Sequence, residues 1–301
     1  MEEQALALIQ NSGLTRIKED IRALLMPSIR MKLHRMPEEQ IAVGASKVGG
    51  MPDLPRELSW PEWQGAPLGF IAQLNLPELA LYDREGALPR TGMLSFFYDA
   101  EQRAFGFDAA ERDAWRVLYY DGDLAQLART PAPPTLPAEG TYPACALECS
   151  TEWTLPPLES LHLERVGITW EAMYGPSSAT EQARAEGDRY LELCESLARL
   201  YGDADLLHRV LGHPDPVQGD MQLECQLASH SLYTGNASGY RDPRAASLRA
   251  GATDWRLLLQ IDSDDEAGMM WGDVGRIYYW IQQERLAKRD FSNVWFAYQC
   301  S

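Results

Sequence analysis

Four polar residues sit inside or at the ends of apolar strand-like runs: Gln73 and Asn75 in FIAQLNL, Gln260 and Asp262 in LLLQID. Side chains repeat every two residues along a strand, so each pair shares one face. A buried polar group is costly unless it is hydrogen-bonded. These four therefore either brace loops or line a cleft, and the cleft reading makes them the leading ligand-binding candidates. Gly49-Gly50-Met51-Pro52-Asp53 makes a tight turn or a ligand cradle. It lacks the length and the Lys of a phosphate-binding loop. Trp271-Gly272-Asp273 reads as a capped turn. Gly49, Gly50, Asp53, Trp271 and Asp273 complete the candidate set as the loops that reach the four strand residues.

Metal and nucleophile chemistry finds little support. The run Asp262-Ser263-Asp264-Asp265-Glu266 invites a calcium reading, but Ala267 falls where an EF-hand loop needs Gly and Asp273 where it needs a bidentate Glu. An acidic solvated turn fits better. His208 and His213 are separated by a spacing that a zinc-binding helix does not use, and Gly212 and Pro214 break any helix there. Cys145, Cys149, Cys194, Cys225 and Cys300 form no paired zinc pattern and read as reduced thiols. No Gly-x-Ser-x-Gly elbow appears. Catalytic residues remain unknown, and no metal and no cofactor is expected.

The chain has 301 residues, with 27 Lys+Arg against 44 Asp+Glu, a net charge of 27 − 44 = −17. Such a surface repels phosphate, so nucleic acid is not an expected partner. No apolar run reaches the ~18 residues of a membrane span, and the N-terminus carries no signal-peptide pattern. A soluble, cytoplasmic protein is expected. Hydrophobic residues make up 45%, enough for a substantial core.

Helices are expected over 3–12, 15–26 and 179–201, with a short one at 283–288. Strands are expected over 28–36, 70–76, 92–98, 115–120, 160–170, 255–261, 276–281 and 294–299. Five prolines mark 129–143 as an extended connector. The polar segment 229–252 reads as a surface loop. Motif order also repeats: GGMPDLP, FIAQLN, GMLSFFYD and WRVLYY are answered by LGHPDPVQGD, LLLQID, GRIYYWIQ and VWFAYQ. The expected fold is α+β, a β-rich body of two similar, duplicated halves (about 44–125 and 205–301). Mostly antiparallel sheets and peripheral helices should make it one domain over 1–301. Most of the nine tryptophans should pack the core, leaving one or two to anchor a protein partner.

SKVGGMPDLP, Trp60-Pro61, PLGFIAQLNLPEL, GMLSFFYD, LGHPDPVQGDM, LLLQIDSD, MMWGDVGRIYYWI and FSNVWFAYQCS fall in an order that resembles the YwqG-like family, domain of unknown function 1963. The resemblance runs from about residue 15 to the C-terminus, apart from segments near 100–112 and 229–250. It implies a bacterial, cytoplasmic α+β protein without an agreed activity, some relatives being suspected of neutralising toxins. It carries over no catalytic residue. The expectation is a non-enzymatic protein-binding module, of toxin-neutralising immunity type, with a basic partner. The alternative is a small-molecule-binding protein or enzyme with a cleft between the halves.

Overall fold

In β1 (Met26–Arg35), Ile29, Met31 and Leu33 are buried while Lys32 and His34 are exposed, the period-2 pattern of a strand with one covered face. The computed structural model describes residues 1–175, 180–202 and 206–301. Nine further strands join β1: β2 (Lys47–Val48), β3 (Gly69–Asn75), β4 (Met93–Tyr98), β5 (Trp115–Tyr120), β6 (Cys145–Thr154), β7 (His208–Val210), β8 (Trp255–Asp262), β9 (Arg276–Gln282) and β10 (Trp295–Gln299). Their order is β10-β9-β8-β7-β1-β6-β2-β3-β4-β5, with every neighbouring pair antiparallel. Asp53–Pro55 with Leu127–Arg129, and Glu62–Trp63 with Ala66–Pro67, make two small ribbons beside it.

The sheet curls until its outermost strands meet, so it is nearly closed. Trp115 of β5 lies edge-on to Trp295 of β10 at 5.2 Å and donates its indole N–H to the carbonyl of Val294 at 2.8 Å. Tyr98 stacks on Phe296 at 4.3 Å, and Phe96 meets Tyr279 edge-on at 5.1 Å. Aromatic pairs of this kind add to the burial of their own area.

Ten α-helices occur among the described residues: α1 (Glu2–Asn11), α2 (Lys18–Ala23), α3 (Leu76–Leu79), α4 (Leu161–Glu164), α5 (Trp170–Tyr174), α6 (Glu181–Arg199), α7 (Gln222–Ser229), α8 (Ala237–Arg241), α9 (Ala245–Leu248) and α10 (Gln283–Ala287). α1, α2 and α6 bury Ile9, Ile21 and Tyr190 in a second core cluster. None of the helices is long and apolar enough to cross a membrane.

The structure corrects several expectations. Residues 160–170 are not a strand: Ser160 and Thr169 accept from the backbone N–H groups of His162 and Ala172, and these caps start α4 and α5. Residues 229–252 are not a bare loop but hold α8 and α9, with Leu232 and Ala245 buried against Leu227 of α7. The connector 129–143 packs at its end, where Tyr142 is buried 5.8 Å from Trp271. β6 and β7 were not expected. Of the long helix at 179–201, Glu181–Arg199 is helical; Ala179 lies outside the described residues, as does Asp205, where the second motif set was placed.

The meeting of the sheet's ends makes Phe296 a sensitive position. Phe296→Ala should cost about 3–5 kcal/mol in urea unfolding, the range for truncating a buried aromatic. A loss below about 1 kcal/mol would show that the closure contributes little.

Candidate functional site

Gln73 is buried in β3 and bonded on every side. Its Oε1 accepts the Asp53 N–H at 2.7 Å, and its Nε2 donates to the Ala45 carbonyl at 2.8 Å and to Asp53 Oδ2 at 2.7 Å. The Asp53 carboxylate also accepts from Gly44 N–H at 2.9 Å and Arg129 Nε at 2.9 Å, with Lys47 Nζ at 3.8 Å. Burial alone would raise its pKa. The Arg129, Gly44 and Gln73 hydrogen bonds and the Lys47 charge outweigh burial and hold it below the usual carboxylate range. Lys47, wholly buried, donates to Glu38 Oε1 at 2.6 Å and to the Met51 carbonyl. Burial is the largest influence on its ammonium and pulls its pKa down. Asn75 donates to the Gly44 carbonyl at 2.7 Å and caps α3. At Gly49, with φ +67°, a Cβ would lie 2.1 Å from the Pro143 carbonyl oxygen. Only glycine fits that crossing.

Gln260 repeats the pattern in β8. Its Oε1 accepts the Asp215 N–H at 2.9 Å and its Nε2 donates to the Leu207 carbonyl at 2.6 Å. Gln73 is registered opposite Lys47, and Gln260 opposite Arg209. Arg209 donates to the His213 carbonyl at 2.8 Å, as Lys47 does to Met51. The pairs Ala45/Leu207, Lys47/Arg209, Met51/His213 and Asp53/Asp215 share one offset, 209 − 47 = 162 residues. Asp262 accepts from Leu207 N–H at 3.0 Å and lies 2.9 Å from Arg276 Nε, which is ion-paired with Asp215 as well.

The structure thus brings Gln73, Asn75 and Asp53 together, and Gln260 with Asp262. Among the described residues the two sets share no hydrogen-bond partner, and β7, β1, β6 and β2 lie between their strands in the sheet order. Gly49 and Gly50 turn beside the first set. Trp271 is buried, donating to Ser263 Oγ and to the Asp262 carbonyl, while Asp273 is exposed.

Between the two sets lies a groove of about 910 Å³ over β1, β6 and β7, with His208 and Asp264 at its floor. His208 Nδ1 accepts the Asp262 N–H at 3.1 Å, so Nε2 carries the proton and donates to Asp264 Oδ2 at 2.9 Å. Neither ring nitrogen is left for proton transfer. Burial would raise the Asp264 pKa, but the His208 bond and backbone N–H groups bring it below the usual range. The Cys145 thiol, 3.4 Å from the Glu266 carbonyl, is pushed up to about 11 by burial and the nearby acids. It is no nucleophile near neutrality. No group of three or more His, Cys, Asp or Glu side chains is placed to hold a metal among the described residues.

One surface feature escaped the sequence reading altogether. Trp170 is 61% exposed and packs 4.7 Å from Tyr174, itself 45% exposed, on α5. Tyr174 reaches Asp188 of α6, and half-exposed Leu191 lies on the same helix stripe as Asp188, Glu192 and Glu195.

A family model, a domain of unknown function (DUF1963), matches residues 46–300. The chain belongs to that family. No curated protein matches it. The DUF1963 match takes in β2 to β10 and the α5–α6 face, and leaves before it α1, α2, the β1 side of the groove and the Glu38, Gly44 and Ala45 partners of the first network.

His213 supplies a pH test within this region. Its Nε2 donates to the Leu24 carbonyl at 2.7 Å, and burial pushes its pKa down to about 3. An unfolded histidine titrates near ~6.5, so the unfolded chain takes up the proton first. Stability from this group is therefore complete above that value and is lost as pH falls toward 3. From about pH 7 to about pH 5 the loss should be about 2 kcal/mol. Urea midpoints of the native chain and His213→Gln at both values test it. The variant should show a shallower acid slope; equal slopes would refute the assignment.

Proposed function

We propose that this chain is a non-enzymatic protein-binding module whose partner is basic, a role of the toxin-neutralising, immunity type exercised in the bacterial cytoplasm. The observation that carries the reading is the exposed Trp170–Tyr174 pair, with Tyr174 hydrogen-bonded to Asp188 of α6. Exposed aromatics framed by charge supply most of the energy in many interfaces. A net charge of −17 speeds encounter with a basic surface and disfavours nucleic acid. The engaged state of His208 supports binding rather than catalysis in the groove.

The same reading takes the sheet as two duplicated halves. Its support is the common offset of the Gln73 and Gln260 networks and a sheet order that runs outward in sequence from β1 and β6 on both sides. The networks brace the loops 44–53 and 207–215 and are not a cleft.

Affinity capture from the source cell, with the native chain and Trp170→Ala side by side, tests the binding role. The native chain should retain a strongly basic protein in a salt-sensitive way. Trp170→Ala should weaken that interaction at least about 30-fold, the effect of losing one interface anchor. Retention of the same protein with unchanged affinity would remove the basis for this reading.

A further inference from the structure

The ladder between β6 and β2 holds two pairs, Cys145 with Val48 and Ala146 with Lys47. The chain before Lys47 does not follow β6 further, because other partners hold it. Gly44 N–H donates to Asp53 Oδ2 at 2.9 Å, Ser46 N–H donates to Glu78 Oε2 at 3.0 Å, and Ser46 Oγ accepts the Asn75 N–H at 2.9 Å. These bonds tie residues 44–46 to the 53 loop, the end of β3 and α3. Beside β6 they leave a pocket of about 420 Å³ whose walls come from 36–46, 78–82 and 146–149, all of them described.

A cavity of this volume suits a small molecule. Its interior is apolar: Ile41 and Leu79 are buried, and Met36, Leu147 and Cys149 are half-buried. Glu78 is the one charged residue in the lining, and it is exposed, which puts its carboxylate at the mouth. Its charge is felt inside. Burial, and then the Glu78 carboxylate, push the Cys149 thiol up to about 11, so the thiol is neutral and Glu78 sets the sign of the site.

We propose that this pocket binds a small organic amine, its compact apolar body held between β6 and α3 and its ammonium group set at the mouth against Glu78. Burial of the apolar body supplies most of the affinity. An exposed ammonium–carboxylate pair adds little in water, so Glu78 selects the head group more than it tightens binding. This site is separate from the Trp170 face and does not depend on it.

Three probes that share a phenyl ring and differ in head group test the proposal: benzylammonium, benzyl alcohol and phenylacetate. Binding to the full chain is followed by calorimetry and by the rate at which iodoacetamide labels Cys149, read from the peptide mass. Benzylammonium should bind with a Kd of about 1 mM or tighter and slow the labelling. Benzyl alcohol should bind about threefold more weakly or worse, and phenylacetate more weakly still. Glu78→Gln keeps an oxygen for the Ser46 N–H and should bring the amine down to the level of the alcohol. Ala42→Trp, a change at an exposed position of the wall, should abolish binding with the urea midpoint unchanged. Nα-acetyl-lysine methylamide, the same cation on a more polar body, should bind more weakly than benzylammonium; tighter binding would assign the pocket to a partner's side chain and refute the small-amine site. Equal affinity for amine and alcohol, an amine preference that survives Glu78→Gln, or unprotected Cys149 would each overturn it as well.

Discussion

Ten registered residue pairs between β1 and β6 form the seam on which the rest of the sheet hangs. β2 to β5 extend from β6 on one side, and β7 to β10 extend from β1 on the other. Yet the first strand of each wing is very short. β2 meets β6 through Cys145 and Ala146 alone, and β7 meets β1 through three residues. So few ladder bonds cannot by themselves fix the position of the three strands beyond. The Gln73 and Gln260 networks supply what is missing, since each ties the loops before and after the short strand to the long strand next to it.

These networks contain buried charge, which is a poor source of net stability because desolvation offsets the attraction. Lys47, Glu38, Asp53 and Arg129 are better understood as fixing one geometry. Once they are buried, each charge requires its partners, and any shift of residues 44–53 leaves one uncompensated. The second network uses arginines, Arg209 against Glu152 and Arg276 against Asp215 and Asp262. A planar guanidinium can serve several acceptors at once, and Arg276 does so.

What the sequence made legible follows from the same physics. β3, β4, β8, β9 and β10 are runs rich in apolar and aromatic residues because both of their faces are covered, and such runs announce themselves, as does the aromatic β5, which is buried only at Trp115 and Val117. β6 does not: Glu148, Ser150 and Glu152 alternate with its apolar positions, and it follows the proline-rich stretch closely enough to be absorbed into it. β7 is too short to carry a periodic signal. The four polar strand residues stood out because polarity in an apolar run is conspicuous. Their partners Lys47, Arg129, Arg209 and Arg276 did not, since a charged side chain read alone belongs on the surface. Gathering the four into one cleft assumed that equivalent positions approach an axis. Here the seam strands stand between them, and each pair closes on its own loops. Trp170 gave no signal, because exposure of an aromatic residue is decided by how α5 lies against α6.

Catalysis by acid and base requires a group with a lone pair or proton left to exchange. At the floor of the groove two groups have committed theirs: His208 to Asp262 and Asp264, and Asp264 to His208 and the Glu266 N–H. Recognition asks for a different arrangement, a rigid frame that carries exposed aromatic area. The frame comes from the seam and the two networks, and the exposed aromatic area from Trp170 and Tyr174. Under the proposed binding role, the polar residues that first suggested chemistry act indirectly. By closing the loops around β2 and β7, they fix each wing of the sheet to the seam.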